Sequence, residues 1–183
     1  MERDYNYDIM PEIKTRYATR VFDSAKVTRQ DLLPLFEAAR YAPSCFNEQP
    51  WRFIIADDAE SHEKLAQALS PGNAWAKKAP VLVLTMCTRT FKMNGSKNPF
   101  SRFDTGTSTG FLQLEAIRQG FSVHSMGGFS ADKARELFNI PEDLDIIDMI
   151  AIGRPANLNE LPEEVRKNEI PGTRMPLDDI IWK

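Results

Sequence analysis

Residues 42–51, APSCFNEQPW, join an apolar stretch with helical spacing to a stretch typical of a strand. The prolines at Pro43 and Pro50 fix the backbone and remove two hydrogen-bond donors. Between them lie side chains that can hydrogen-bond outside regular secondary structure: Ser44, Cys45, Asn47 and Gln49. A generic connector is shorter and contains fewer amides. The segment therefore predicts a rigid loop that presents polar groups to a flat heterocyclic ligand.

The size and composition of the chain are typical of a single globular domain. It has 183 residues, of which 42% are hydrophobic and 27% are charged, which is enough for a sizeable core. The net charge of -3 argues against a nucleic-acid-binding protein. Two cysteines, Cys45 and Cys87, are too few for a disulfide framework, so we expect a cytoplasmic location where thiols stay reduced.

The sequence gives no indication of membrane attachment. The opening residues, MERDYNYDI, are polar and acidic, unlike a signal peptide. The longest apolar run, around residues 79–86, is much shorter than the ~20 residues that span a bilayer.

Helix and strand patterns alternate along the chain. Helices are predicted over residues 9–17, 32–42, 60–69, 105–119 and 131–138, and strands over residues 51–56, 80–87, 121–126 and 146–152. Thr28 and Asp31 resemble a capping box, and Asp104 and Ser130 stand where N-caps are expected. Gly120 is expected to end the fourth helix.

Two stretches lack a regular pattern. Residues 88–103, rich in Asn, Ser, Lys and Phe, are long for a connector and predict either a lid or a segment that is disordered without ligand. Residues 157–173 are polar and unpatterned. The tail, RMPLDDIIWK, ends in an apolar run that we expect to dock on another surface.

Three motifs are candidates for ligand binding. In RYATRVF, Arg16 and Arg20 are four residues apart, so on a helix end they share a face that suits a phosphate; a solvated surface pair is the alternative. In MGGF, Gly127 and Gly128 either direct N–H groups at a ligand or form a plain strand-to-helix turn. Arg174, in PGTRMPL, either caps a helix or binds an anion.

Other catalytic classes have weak support. Residues 106–110, GTSTG, match the G-x-S-x-G motif of serine hydrolases, but a polar stretch precedes them instead of a strand, so Ser108 is expected to pack within a helix. His62 and His124 fit no metal-binding pattern; we expect the first in solvent and the second in the core or a pocket wall. Cys45 lacks a resolving partner and is expected to be a packed thiol. No G-x-G-x-x-G motif supports a Rossmann domain.

The order and spacing of these motifs resemble the flavin-dependent nitroreductase family. Its members share an R-x-S-x-R-x-F-like start, a P-S-S-x-N-x-Q-P-W segment, a glycine-containing turn before a late helix and a basic residue near the C-terminus. Here these appear as RYATRVF, PSCFNEQPW, MGGF and TRMPL. The resemblance extends over nearly the whole chain, and the PSCFNEQPW segment is its most specific part.

The resemblance implies a single α+β domain with a mostly antiparallel central sheet flanked by helices, in an intertwined homodimer that binds FMN at the subunit interface. Arg16 and Arg174 would hold the FMN phosphate, and Arg20 would lie near the pyrimidine edge and the ribityl chain. Gly127 and Gly128 would direct N–H groups at the hydride-accepting nitrogen and the adjacent carbonyl. The implied cofactor-binding set is Arg16, Tyr17, Ala18, Arg20, Pro43, Ser44, Cys45, Asn47, Asn73, Met126, Gly127, Gly128 and Arg174.

The resemblance also implies that each site is shared between subunits. Pro43, Ser44, Cys45 and Asn47 would line the flavin ring of the other subunit. Asn73 would approach the pyrimidine edge. The apolar tail would add a strand to the other subunit's sheet.

Three positions depart from the family pattern. Ala18 and Cys45 stand where relatives often have serine, so a hydroxyl contact to the phosphate is lost at Ala18. Gly172 stands where some relatives carry a second cation, so phosphate binding would depend more on the arginines.

The function implied by the resemblance is hydride transfer from NADH or NADPH through FMN to a nitroaromatic, quinone, enal or similar acceptor, with ping-pong kinetics. No catalytic side chain is expected, and Arg20 would stabilise negative charge on the ring. Residues 88–103 would shape the acceptor pocket with their aromatic and methionine side chains, or pack on the partner. Two alternatives stay open: an FMN carrier with little turnover, and a flavin enzyme of this fold for dehalogenation or flavin cleavage.

Overall fold

A four-stranded antiparallel sheet forms the centre of the structure, a computed structural model that describes residues 5–182. The strands are β1 (Trp51–Ala56), β2 (Val81–Thr88), β3 (Ser122–Met126) and β4 (Leu144–Gly153), in the order β1-β2-β4-β3. Each pair of neighbouring strands is antiparallel. The predicted α+β class and the mostly antiparallel sheet are confirmed.

Helices cover both faces of the sheet. They are α1 (Pro11–Thr15), α2 (Arg29–Arg40), α3 (Ala59–Ala66), α4 (Ser101–Arg118), α5 (Ala131–Phe138), α6 (Glu163–Arg166) and α7 (Leu177–Ile180). Short 3₁₀ segments occur at Cys45–Asn47, Pro71–Lys78 and Leu158–Glu160. The predicted strand at Trp51–Ala56 is confirmed to the residue.

The sheet separates two hydrophobic clusters because its side chains alternate between faces. On one face, Val83 and Ile150 pack with Leu35 of α2 and Leu112 of α4. On the other face, side chains of β2 and β4 pack against α3 and α5. Truncating a fully buried leucine such as Leu112 to alanine is expected to cost about 2–5 kcal/mol of stability.

Local signals set several helix ends as predicted. Thr28 and Asp31 form a reciprocal capping box, with the Thr28 N–H donating to the Asp31 carboxylate at 2.8 Å. The Ser130 hydroxyl accepts from the Lys133 N–H at 3.2 Å and caps α5. Gly120 follows α4 with a φ of 78°, a left-handed conformation that suits glycine.

The helix predicted over residues 105–119 is present as α4, but its predicted start was wrong. The helix begins at Ser101, so Asp104 lies in its first turn rather than at its cap, and the irregular stretch is shorter than residues 88–103. No side chain caps the helix at Phe100, and Asn98 forms a turn just before it, in which its side-chain oxygen accepts from the Phe100 N–H at 3.0 Å. The turn between β2 and α4 is folded: the Phe91 N–H donates to the Ser96 carbonyl at 2.8 Å.

The chain ends also differ from expectation. The first helix is limited to Pro11–Thr15, so Arg16 and Arg20 do not share a helical face. Near the C-terminus, Leu177–Ile180 form α7 rather than a strand. Pro176 ahead of the helix and two aspartates in its first turn explain this, since both features favour a helix start.

Candidate functional site

A cavity of about 400 Å³ lies between the segment that follows α1 and the segment that precedes α7. Its lining residues are Arg16, Tyr17, Ala18, Arg20, His124, Asn168, Glu169, Ile170, Pro171, Gly172 and Arg174. The structure thus brings together two motifs that are more than 150 positions apart in the sequence. Five of the predicted cofactor-binding residues line this one cavity.

Extended backbone places the N-terminal wall of the cavity. Arg16 ends α1 with φ and ψ of -63° and 124°, which corrects the prediction that Arg16 and Arg20 share a helix face. The chain then pairs with the segment after β4, where the Asp23 N–H donates to the Arg154 carbonyl at 2.9 Å. This pairing holds the segment extended, and both arginines still reach the cavity.

A buried carboxylate joins the two walls. Glu169 is only 7% exposed, and its Oε2 accepts from the Thr19 hydroxyl at 2.6 Å. Its Oε1 accepts from the Arg20 N–H at 3.2 Å. Glu169 was not predicted, because it lies in the unpatterned stretch and no local signal marks its partner.

The charges that line the cavity favour an anion. The guanidinium groups of Arg16, Arg20 and Arg174 oppose the single carboxylate of Glu169. That carboxylate already accepts from Thr19 and from the backbone of Arg20. Arginine forks match phosphate oxygens in geometry and charge, so the wall suits a phosphate group.

His124 forms a neutral part of the cavity wall. Its Nδ1 lies 2.9 Å from the Thr19 carbonyl, and its ring centroid lies 4.5 Å from that of Trp75. A carbonyl only accepts, so Nδ1 carries the proton. Burial lowers the pKa of His124; the bond to the Thr19 carbonyl and the charge of Glu169 raise it in part, and Arg20 and Arg16 lower it. The expected pocket-wall position is confirmed.

The prediction that His62 lies in solvent was wrong. It is half-buried on α3, and its Nε2 lies 2.8 Å from the Ala79 carbonyl.

Burial raises the pKa of Tyr17, a residue of the cavity wall. Within residues 5–182, no group of histidine, cysteine or acidic side chains is arranged to bind a metal ion.

Two side chains hold the turn that follows β3 in place. The Gly128 carbonyl accepts from the Ser70 hydroxyl at 2.7 Å and from the Asn73 side-chain amide at 3.0 Å. A Cβ at Gly128 would lie 2.5 Å from that amide nitrogen, whereas a Cβ at Gly127 would meet open space. In the described part of the chain, no hydrogen bond uses the N–H of Gly127 or Gly128.

The connector, residues 42–51, has a strained backbone. Phe46, Asn47 and Gln49 have φ values of 51°, 56° and 49°, which non-glycine residues adopt at a cost of about 1–3 kcal/mol each. The Cys45 N–H donates to the buried Asp104 carboxylate of α4 at 3.0 Å. Strained residues concentrate at functional sites, so this turn is a second candidate region.

The remaining predicted residues lie apart from the arginine-lined cavity. Pro43, Ser44, Cys45 and Asn47 belong to the connector, and Met126 ends β3. Asn73 faces the turn at Gly128, where its amide is already used. The contact of Asp104 with the connector was also not predicted, since the sequence context of this residue is that of a helix cap.

The serine-hydrolase motif is a packing feature. Ser108 lies within α4, is fully buried and donates to the Ala39 carbonyl at 2.9 Å. No strand precedes it, because residues 101–118 are one continuous helix. The prediction that this serine packs within a helix is confirmed.

Comparison with known proteins decides the family. The family model described as the nitroreductase family matches residues 13–74 and 70–154, a range that includes Arg16, the connector and the turn at Gly128. The chain belongs to the nitroreductase family. Within the described residues, no helix combines the length and apolarity needed to cross a membrane.

Similar proteins extend over almost the full chain. A protein of Archaeoglobus fulgidus, provisionally named as an NADH dehydrogenase/NAD(P)H nitroreductase, is 27% identical over 82% of this chain and 87% of its own. A crystal structure of an oxidoreductase containing FMN is 31% identical, with a TM-score of 0.91 over 99% of this chain and 94% of that chain.

A third comparison supports the fold alone. A provisionally named nitroreductase from Exiguobacterium sibiricum, solved in complex with FMN, is 20% identical. It has a TM-score of 0.81 and covers 99% of this chain and 100% of that chain. The nitroreductase fold of the chain is therefore shared by structures at different levels of sequence identity.

Proposed function

We propose that this nitroreductase-family protein is an NAD(P)H-dependent oxidoreductase that uses FMN as its cofactor. The observation that carries the proposal is the cavity of about 400 Å³ in which Arg16, Arg20 and Arg174 converge. The similar oxidoreductase that contains FMN and the family's name support the same activity.

The donors of the cavity fit the phosphate of FMN. Arginine guanidinium groups bind phosphate through paired hydrogen bonds, and three of them line the wall. Arg174 now donates to the carbonyls of Gly172 and Thr173 at 3.0 and 2.8 Å, so it must turn from its own backbone to bind an anion.

Hydride transfer between NAD(P)H and an organic acceptor is the chemistry that FMN supplies when bound. The residues of the chain would bind FMN, orient it and polarise its ring. We assign the phosphate to Arg16 and Arg174, and the pyrimidine edge to Arg20. The N–H groups of Gly127 and Gly128 supply oriented donors without a side chain in the way.

We propose nitroaromatic, quinone and enal compounds as the acceptors. One site would serve the nicotinamide and the acceptor in turn, which gives ping-pong kinetics. No side chain is assigned as an acid or nucleophile. The part of the cavity wall contributed by Arg20 would act through its positive charge alone.

The proposal includes a homodimer. Large apolar side chains are exposed on α4, where Phe103 is 75% and Phe111 41% exposed, and on the C-terminal tail at Ile181 and Trp182. Exposed apolar surface of this kind marks an interface. In the dimer the connector of one subunit would line the flavin of the other, which explains why Asn47 lies outside this chain's own cavity.

The first experiment compares FMN with riboflavin, which lacks the phosphate. We expect the wild type to bind FMN more tightly, and Arg16→Ala to lose about 10–100-fold in FMN affinity with little change for riboflavin, since a charged hydrogen bond contributes about 1.5–3 kcal/mol. Arg29→Ala is the control, because that arginine lies outside the cavity and pairs with Asp57 at the start of α2.

The second experiment is anaerobic reduction of the FMN-bound protein by NADH and by NADPH, followed by reoxidation with a panel of acceptors. Rapid bleaching of the flavin absorbance supports an oxidoreductase. Binding of FMN without bleaching indicates a carrier instead. If the protein does not bind FMN and Arg16→Ala changes nothing, the proposal fails.

A further inference from the structure

Glu48 is a buried carboxylate in an otherwise polar connector. It is 6% exposed, and burial of a charge is costly unless hydrogen bonds compensate it. Its Oε2 accepts from the backbone N–H of Lys92 at 2.8 Å, a contact across 44 positions of the chain. Its own N–H donates to the Cys45 carbonyl at 3.1 Å. One residue therefore joins the strained connector to the segment after β2.

That segment is a compact unit, which we name the Phe91 turn and define as residues 89–98. The Phe91 N–H donates to the Ser96 carbonyl at 2.8 Å, and the Asn98 N–H donates to the Arg89 carbonyl at 2.9 Å. Thr90 and Lys97 pair in antiparallel fashion between these bonds. Because the turn is closed on itself, holding one of its backbone groups positions the whole turn.

An aromatic pair forms a second contact between the connector and the Phe91 turn. The rings of Phe46 and Phe91 meet edge to face, with centroids 6.0 Å apart and an angle of 72°. Phe46 is 76% exposed and has a left-handed φ of 51°, an unfavourable conformation for an aromatic residue. The strained turn thus directs the Phe46 ring outward and the Glu48 carboxylate inward.

We propose that Glu48 is a positioning residue for acceptor specificity: it fixes the Phe91 turn against the connector so that Phe46 and Phe91 form an aromatic wall for planar acceptors. The inference rests on the proposed function, in which the connector borders the flavin. Offset and edge contacts between aromatic rings are favourable, so such a wall would bind planar acceptors in preference to non-planar ones.

Glu48 acts through the turn and not on the acceptor. Its carboxylate is buried and bonded to a backbone N–H, so it does not reach an acceptor. Losing the bond leaves the Lys92 N–H without its partner and releases the turn from the connector. The wall then loses its fixed geometry, while the arginine-lined cavity keeps all of its groups.

The test measures steady-state kinetics of the FMN-bound protein with 1,4-naphthoquinone, a planar acceptor, and with ferricyanide, which has no aromatic ring. For Glu48→Ala we expect KM for the quinone to rise about tenfold, with unchanged KM for ferricyanide and unchanged FMN affinity. Glu48→Gln should behave like wild type, because its amide oxygen still accepts from the Lys92 N–H.

Two further variants make the test specific. Asp58→Ala removes another carboxylate that accepts from a backbone N–H, that of Ser61 at 2.9 Å, and should leave both KM values unchanged. Phe91→Ala removes one ring of the wall and should reproduce the rise in KM for the quinone. This second route keeps the proposal testable if Glu48→Ala does not fold.

The inference is overturned if Glu48→Ala and Phe91→Ala both keep the wild-type KM for the quinone. It is also overturned if the KM values for both acceptors rise together, or if Glu48→Gln is as impaired as Glu48→Ala. Failure of the wild type to bind FMN or to be reduced by a nicotinamide would instead reject the proposed function. The two failures are therefore distinguishable.

Discussion

The hydroxyl of Thr19 donates a 2.6 Å hydrogen bond to the carboxylate of Glu169, which joins segments 150 positions apart. Both residues are buried, so the bond gives the hydroxyl and the carboxylate a partner in a place shielded from water. The same carboxylate accepts from the Arg20 N–H. The bond therefore fixes the distance between the two arginine-bearing walls of the cavity.

Replacing Glu169 by alanine should weaken both the fold and the site. We expect the free energy of unfolding to fall by about 1–3 kcal/mol, because buried donors lose their partner. FMN affinity should fall with it, since Arg174 loses its fixed position relative to Arg16. Urea denaturation and fluorescence titration with FMN measure the two effects.

An exposed glutamate five positions earlier gives the control for this prediction. Glu164 lies on α6 with its side chain exposed. Glu164→Ala should change neither the free energy of unfolding nor the FMN affinity. Equal effects of Glu164→Ala and Glu169→Ala would contradict the role assigned to the buried bond.

Alanine at the two neighbouring glycines should affect different properties: stability at Gly128 and FMN affinity at Gly127. Gly128→Ala places a Cβ 2.5 Å from the Asn73 amide and 2.9 Å from the Ser70 hydroxyl, both of which bond the Gly128 carbonyl. We expect a loss of about 1–3 kcal/mol of stability from this overpacking. Gly127→Ala meets open space, so it should keep stability and lower FMN affinity.

Thermal unfolding and FMN titration of both variants check this prediction. A Gly127→Ala protein that binds FMN like wild type would argue against the close approach of the cofactor at this turn. Equal stability of the two variants would show that the contacts around Gly128 relax without cost.

Substitutions at Asn47 separate its backbone conformation from its amide. Asn47 has a φ of 56°, which glycine adopts without strain and alanine does not. Asn47→Ala should therefore lose about 1 kcal/mol more stability than Asn47→Gly. If the amide lines the flavin of the other subunit, both variants should lose FMN affinity and dimer stability together. Retention of both by Asn47→Gly would assign the residue a backbone role only.

Local sequence signals predicted the parts of the fold that depend on neighbouring residues. The strand Trp51–Ala56 follows from its aromatic and β-branched side chains, and the caps at Thr28 and Ser130 act within one helical turn. Resemblance to the family placed Arg16 and Arg174 at one site, which the helix periodicity alone did not do. In fact Arg16 lies outside the helix.

The features that were missed depend on tertiary contacts. Asp104 has the sequence context of a helix cap, yet its carboxylate accepts from the Cys45 N–H 59 positions away. Nothing next to Glu169 in the sequence indicates its bond to Thr19. The left-handed Phe46 contradicts local preference, because aromatic residues disfavour positive φ. A strained conformation of this kind persists only where surrounding contacts hold it, here the hydrogen bonds of Glu48 and Asp104.

The exposed face of α4 should be a dimer interface. Phe111 lies eight residues after Phe103, a spacing that brings both onto one side of the helix. We expect the wild type to sediment as a dimer and Phe111→Asp as a monomer with reduced FMN affinity. Leu33→Asp, at an exposed leucine of α2, should remain dimeric. A monomeric wild type that binds FMN fully would contradict the shared site.

Stability should depend on pH through Asp148. This residue lies opposite Thr85 in the register of β2 and β4, and burial raises the pKa of its carboxyl above the ordinary 3.8, although the nearby hydroxyls of Thr85 and Ser125 lower it in part. A raised folded pKa means that the native chain binds the proton more tightly than the unfolded chain. Its contribution to stability is complete below pH 3.8 and is lost as the pH rises through the raised folded pKa.

Asp148→Asn removes this titration while keeping the shape of the side chain. We expect the variant to unfold with a larger free energy than wild type at pH 8, and the difference to shrink as the pH falls toward 4. Urea denaturation across this range measures the trend. Asp132→Asn, at an exposed aspartate of α5, is the control and should show no such slope. A difference for Asp148→Asn that stays constant with pH would mean that burial of the ionised carboxylate carries no penalty in this fold.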